Sequence, residues 1–168
     1  IGLRWSIRDI TERKRGEERQ AKLLELVETV NRAKALPEIY EAAVSAICKC
    51  LGTSRASILL CDDDNVMRFK FARGLSLEYR QAVEGHSPWK PDDPNPQAVT
   101  IEDVADVSLE EHFRKAFKME RIRSLAFIPL LYEGRLLGKF MVYYALPHHF
   151  TEEELRLANA IAGPVSYA

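Results

Sequence analysis

The stretch "SLAFIPLLYEGRLLGKFMVYY", Ser124–Tyr144, decides the fold. Two apolar runs, Ser124 to Tyr132 and Arg135 to Tyr144, flank Glu133-Gly134, and a two-residue turn of this kind between strand-like segments predicts a β-hairpin. Runs this apolar belong at the centre of a sheet. Downstream, Thr151 and Glu154 have capping-box spacing, and Phe150 with Leu155 has the spacing of a hydrophobic staple. A helix is therefore predicted, with Leu155, Ala158, Ile161, Ala162 and Val165 along one stripe. Pro164 lacks the amide hydrogen that would bond Ala160, so a kink or frayed end is expected there.

Upstream of the hairpin, Arg55 to Cys61 and Met67 to Arg73 read as a second strand pair around the turn Asp62 to Asn65. Met67, Phe69 and Phe71 are assigned by alternation to one face. Ser76 is positioned to cap a helix running to Glu84, and Gly85 to stop it. Then comes "GHSPWKPDDPNPQAVTIED", Gly85–Asp103, in which four of the chain's eight prolines fall within nine residues. Such proline density denies the span to helix and central strand alike, so an ordered loop or lid with a short strand is expected. Trp89 supplies apolar surface to order it. Ser108 and Glu111 suggest a capping box for a helix whose Leu109, Phe113, Ala116 and Phe117 share a face.

Two helices precede the first strand. Pro37 breaks one and opens the next, which carries Ile39, Tyr40, Ala43, Val44 and Ile47 until Gly52. In the earlier one Leu23, Leu26, Val30 and Ala33 form a narrow seam that suits either a two-stranded coiled coil or packing on the domain's own sheet.

Composition bounds the function. The chain has 168 residues, 46% of them hydrophobic, enough for one domain with a core. A net charge of -1 sets up no field for nucleic acid or an acidic membrane surface. No apolar run reaches the roughly 20 residues of a membrane span, and a cytoplasmic location is expected. Three cysteines, Cys48, Cys50 and Cys61, form neither a disulfide framework nor a zinc site. Reduced, structural thiols are expected. The acidic turn lacks the glycine and distal glutamate of a calcium loop. His148 and His149 beside Pro147 make weak metal ligands without a nearby carboxylate or thiolate pair. No catalytic constellation and no metal site emerge.

The order is helix, helix, hairpin, helix, long loop with a short strand, helix, hairpin, helix. With "RASILLCDDDNVMRFKFARGLSLEYR" and "RIRSLAFIPLLYEGRLLGKFMVYYALPHHFTEEELRLANAIA" as its carriers, the chain resembles a GAF domain from about Leu24 to Val165. The resemblance implies an α+β sandwich: a central antiparallel sheet, the N- and C-terminal helices on one face, and a loop and helix pocket layer on the other. "RWSIRDITERKR", Arg4–Arg15, is similar to the last strand and tail of a PAS domain. The implied organisation is a PAS remnant over 1–11, a signalling helix over 12–36, the GAF domain over 24–165, and the start of a longer exit helix over 166–168.

By the same resemblance, the parent is a cytoplasmic bacterial sensor histidine kinase of a two-component system, while this portion is not itself an enzyme. Its implied role is to bind an unidentified small molecule and pass the signal through its terminal helices. The alternative is a relay with a filled cavity, Trp89 as its plug, between a PAS domain and the kinase. The implied pocket comprises Phe71, His86, Trp89, Asp103, Phe117, Arg123 and Phe127, with Arg123 as a clamp. Leu23, Leu26, Val30, Ile161 and Val165 are the expected homodimer surface. The partners implied are a second copy, the small molecule and the neighbouring PAS and kinase domains, with no nucleic acid and no direct membrane insertion.

The cofactor is left unknown. Cyclic nucleotide is disfavoured because the asparagine-lysine element of nucleotide-binding relatives is missing. A covalent bilin is excluded because no cysteine follows Cys61, and haem is disfavoured because His86 and His112 are lone histidines. Methionine sulfoxide reduction, known in a few relatives, would need pocket cysteines, which Cys48 and Cys50 on a helix do not supply.

Overall fold

The computed structural model describes residues 12–21, 23–25, 27–28, 35–90 and 92–167. The PAS-like stretch over 1–11, and Leu26, Val30 and Ala33 of the seam, lie outside the described residues. Residues 12–21 are helical, as are 23–25 and 27–28. The elements that follow are α1 (Leu36–Leu51), β1 (Arg55–Cys61), β2 (Met67–Arg73), α2 (Leu77–Val83), β3 (Val99–Ile101), α3 (Glu111–Glu120), β4 (Ser124–Tyr132), β5 (Arg135–Tyr144) and α4 (Glu152–Ser166).

Five strands form one sheet in the order β2-β1-β5-β4-β3, and the described pairings are antiparallel. The quoted hairpin is as expected: Glu133 and Gly134 both have positive φ, 49° and 77°, which gives the turn the twist of its flanking strands. Alternation along β4 and β5 then feeds two cores. Ala126, Ile128, Leu130, Phe140 and Val142 face one way and pack with α1 and α4. Leu125, Phe127, Met141 and Tyr143 face the other way, toward α2, α3 and the long loop. Each fully buried Leu, Ile or Phe contributes about 1.5–3 kcal/mol, so two cores sharing one sheet make the strands the most stable part of the domain.

The helix signals read from the sequence hold in most places. Pro37 lies in the first turn of α1, and Gly52, at φ 64°, closes it with its amide on the Cys48 carbonyl. Ser76 Oγ accepts from the Tyr79 amide at 3.1 Å and starts α2. Thr151 and Glu154 form the full capping box of α4.

One expectation is corrected. The box at Ser108 does not form: α3 starts at Glu111, with Glu110 as a cap that makes no side-chain bond. Leu109 packs instead against the pocket-face core, which takes the chain away from helical geometry before the helix begins. At the other end of the domain, α4 continues through Pro164 and ends two residues later, at Ser166. The proline sits in the last turns, where losing its one donor costs little continuity.

Candidate functional site

A cavity of about 200 Å³ lies between the sheet and the layer of α2, α3 and loop. Its sheet side is built by Leu59, Phe69, Leu125, Phe127, Lys139, Met141 and Tyr143. Tyr79 and Val83 of α2, His86 and Pro88 of the loop, and Phe113 and Phe117 of α3 close the opposite side, with Val99, Ile101 and Leu109 at the edge. The walls are thus mostly hydrocarbon and aromatic, with four polar side chains among them.

Lys139 stands out among the four. The alternation that points Met141 and Tyr143 at the cavity points Lys139 there too, and the side chain is only 3% exposed. Its Nζ donates to the backbone carbonyl of His86 and lies 5.3 Å from the centre of the Phe127 ring. No carboxylate lines the cavity, and no ion pair to Lys139 exists among the described residues. Burial alone pushes its ammonium from an ordinary 10.5 down to about 7, because an apolar surrounding disfavours the charged form.

His86 sits beside it, its ring 4.7 Å from that of Phe113 and 5.8 Å from that of Phe127. Burial first, and the nearby Lys139 second, hold its pKa below the ordinary value. Tyr143 shares a hydrogen bond of 2.9 Å with Ser57 Oγ and meets Tyr79 edge-on at 5.9 Å. Burial raises the pKa of both phenols, so they stay neutral hydrogen-bonding groups.

Of the seven residues the sequence assigned to the pocket, His86, Phe117 and Phe127 line it. Trp89 is 7% exposed but backs the wall: its ring meets that of Phe127 at 6.4 Å and 85°, and Nε1 donates to the Gln97 carbonyl at 2.8 Å. It anchors the loop outside the cavity.

Asp103 and Arg123 do not line the cavity. They pair with each other through two hydrogen bonds, one of them Nε to Oδ1 at 3.0 Å, and the Arg123 side chain remains 46% exposed. The Val104 amide also donates to the Arg123 carbonyl at 2.8 Å. Arg123 therefore fastens the segment after β3 to the start of β4 and stands outside the lining to which the sequence reading assigned it. Phe71 packs against the helical-face core. The register explains why: Ile58 opposes Phe71 while the next residue, Leu59, opposes Phe69. Lys70 is thus the extra residue of a bulge that reverses facing along β2.

Among the residues assigned to a dimer surface, Ile161 and Val165 are 0% and 5% exposed in this chain's own core, and Leu23 packs partly against that core. Arg19 pairs with Glu153 at 2.9 Å and ties the N-terminal helical segment to the start of α4. His148 and His149 do have carboxylates, each a different one, Glu154 at 3.0 Å and Glu102 at 2.6 Å. No cluster of three potential metal ligands occurs among the described residues. The three thiols are free, and burial raises the pKa of each. No helix among the described residues is long and apolar enough to cross a membrane.

A five-stranded antiparallel sheet with terminal helices on one face and a cavity under a helix and loop layer on the other defines a sensor-type α+β domain. The GAF domain profile matches residues 35–168, and the chain belongs to that family. Among solved structures, it is similar to a domain assigned to a two-component sensor histidine kinase protein from Sinorhizobium meliloti 1021. The identity there is 43% with a TM-score of 0.73, over 80% of this chain and 90% of that one. A GAF domain from a Coxiella burnetii phosphoenolpyruvate-protein phosphotransferase is 19% identical, TM-score 0.71, over 89% and 90% of the two chains. The blue-light absorbing form of the Thermosynechococcus elongatus PixJ GAF domain is 18% identical, TM-score 0.66, over 79% and 83%. These last two share the fold. No curated protein matches.

Proposed function

We propose that the chain is the sensory, non-enzymatic domain of a two-component signalling protein, and that it binds a small molecule in the cavity beneath α2 and α3. The cavity carries the reading. About 200 Å³ of mostly apolar space is bounded by four polar side chains, His86 and Lys139 among them, the arrangement of a small-ligand site. Trp89 sits behind Phe127 and leaves this space open, which supports the sensor over a relay with a plugged cavity.

The route outward is short. Strands β1, β4 and β5 contribute alternate residues to the cavity and to the core under α1 and α4, so a shift on one face is felt on the other. From α4 the Arg19–Glu153 pair leads on to the N-terminal helical segment. Likeness to a domain assigned to a sensor histidine kinase supports the setting, in which neighbouring PAS and kinase domains and a second copy of the chain are the proposed partners.

A native mass spectrum of the freshly purified protein tests this. Extra non-covalent mass on each subunit is the expected result. A clean dimer with nothing bound, and no binding from a metabolite mixture, would overturn the sensor and leave the relay.

A further inference from the structure

We propose that the cavity recognises a small monocarboxylate with an apolar body, its carboxylate paired with Lys139 Nζ and its body held against Phe127, Phe113 and Met141. The inference rests on the sensor reading above and names its ligand class.

Four observations converge on it. First, the ammonium of Lys139 has three donors, and the fold supplies one acceptor, the His86 carbonyl. The other two have no acceptor among the described residues, and no carboxylate among those residues lines the cavity. A buried charge left this way is costly, and an anion of one charge relieves it. Second, no arginine among the described residues lines the cavity. A phosphate would bring a second charge with no partner. Third, the volume is small: cavities of about 150 Å³ accept benzene, so about 200 Å³ accommodates one ring or a short branched chain with a head group. Fourth, the aromatic rings beside Nζ offer contact to the rest of such a molecule, and Phe127 already lies 5.3 Å from the nitrogen.

Binding then carries a proton signature. With the ammonium lowered to about 7 in the empty cavity, much of Lys139 is neutral above that pH, whereas a bound carboxylate holds it charged. The other groups facing it are His86 from the loop, Tyr79 from α2 and Tyr143 from its own strand, with Glu110 and His112 acting on His86 from the start of α3. The phenols are raised and His86 is lowered, so none of these three changes charge between pH 7 and 9.

Isothermal titration calorimetry with benzoate, phenylacetate and the neutral benzyl alcohol tests the proposal, in phosphate and in Tris buffer at pH 7 and 8. Either carboxylate is expected to bind at least about tenfold tighter than benzyl alcohol, with a proton uptake that is larger at pH 8 than at pH 7. Lys139→Met should lose the preference for acid over alcohol and the proton uptake together. Equal binding of acid and alcohol without proton uptake would overturn carboxylate recognition while leaving a working ligand cavity. Binding of none of the three would also overturn it, and the native mass spectrum decides separately whether the sensor reading falls as well.

Discussion

Lys139 on β5 and His86 on the loop after α2 are joined by one hydrogen bond, from Nζ to the backbone carbonyl, across 53 positions of sequence. The bond is the loop's direct tie from this point to the sheet side chains, and it holds the ammonium in an apolar place. The cost appears as a pH dependence. Unfolded Lys139 keeps its ordinary value of 10.5 while the folded value is about 7, so between the two the unfolded chain binds more protons and stability rises with pH. Below pH 7 both forms are charged and the penalty is full, at most about 5 kcal/mol from about 1.36 kcal/mol per pKa unit.

Lys139→Met should therefore stabilise the domain, and most at low pH. Urea unfolding at pH 6 and pH 9 reads it: the gain over wild type should be several kcal/mol at pH 6 and smaller by about 3 kcal/mol at pH 9. A gain independent of pH would mean that Lys139 is solvated in solution.

The phenylalanines of β2 separate the two faces of the sheet. Phe71→Ala removes a half-buried ring from the helical-face core and should lower stability by about 1–3 kcal/mol, leaving cavity ligands bound within about twofold. Phe69→Ala enlarges the cavity and should change affinity for benzyl alcohol by about fivefold or more. Urea unfolding and calorimetry on both variants provide the comparison. The reverse pattern would place the bulge elsewhere.

That bulge also marks how far the sequence could be read. Hairpins, caps and layers are local patterns: Glu133-Gly134, Ser76, Thr151 with Glu154, and the alternation of β4 and β5 each state their geometry within a few residues. Lys70 gives no such sign. Its insertion into the β2 ladder is a property of the pairing with β1, so strict alternation carried Phe71 to the wrong face. Lys139 escaped for a related reason, since a lysine in a strand is ordinarily the mark of the wet face. The available signal was its phase with Met141 and Tyr143. Asp103 and Arg123 were assigned to the pocket by family resemblance, which located the segment but not that the two charges satisfy each other. Trp89 orders the loop from behind Phe127, a placement that its apolar surface alone did not distinguish from the cavity wall.

Arg123→Ala separates fastening from ligand binding. Its hydrogen bond is the chief cause holding Asp103 below the ordinary 3.8, helped by the Ala105 amide. Because the folded value is depressed, the stabilisation is present above 3.8 and is lost as pH falls through the folded value. In the variant the Asp103 pKa, followed by NMR titration, should rise toward 3.8 while affinity for cavity ligands stays within about twofold. A large loss of ligand affinity would restore the clamp.

Gly138 sits next to Lys139 on β5, paired with Leu60 of β1 on one side and Leu130 of β4 on the other. A Cβ built there would stand 2.1 Å from the Leu59 carbonyl oxygen and 2.8 Å from the Leu60 Cα. Both are backbone atoms of a neighbouring central strand, so no side-chain rotation relieves the overlap, and the strands must separate. Gly138→Ala is expected to cost about 2–4 kcal/mol, lowering the thermal midpoint by about 5 °C or more. The shift would propagate to the position of Lys139, so ligand affinity should fall along with stability. By contrast Gly16→Ala meets no atom within 4 Å and should change the midpoint by less than about 2 °C. A pair of thermal scans decides the matter, and near-equal midpoints for the two variants would show that β1 and β5 lie farther apart at Gly138 than the structure places them.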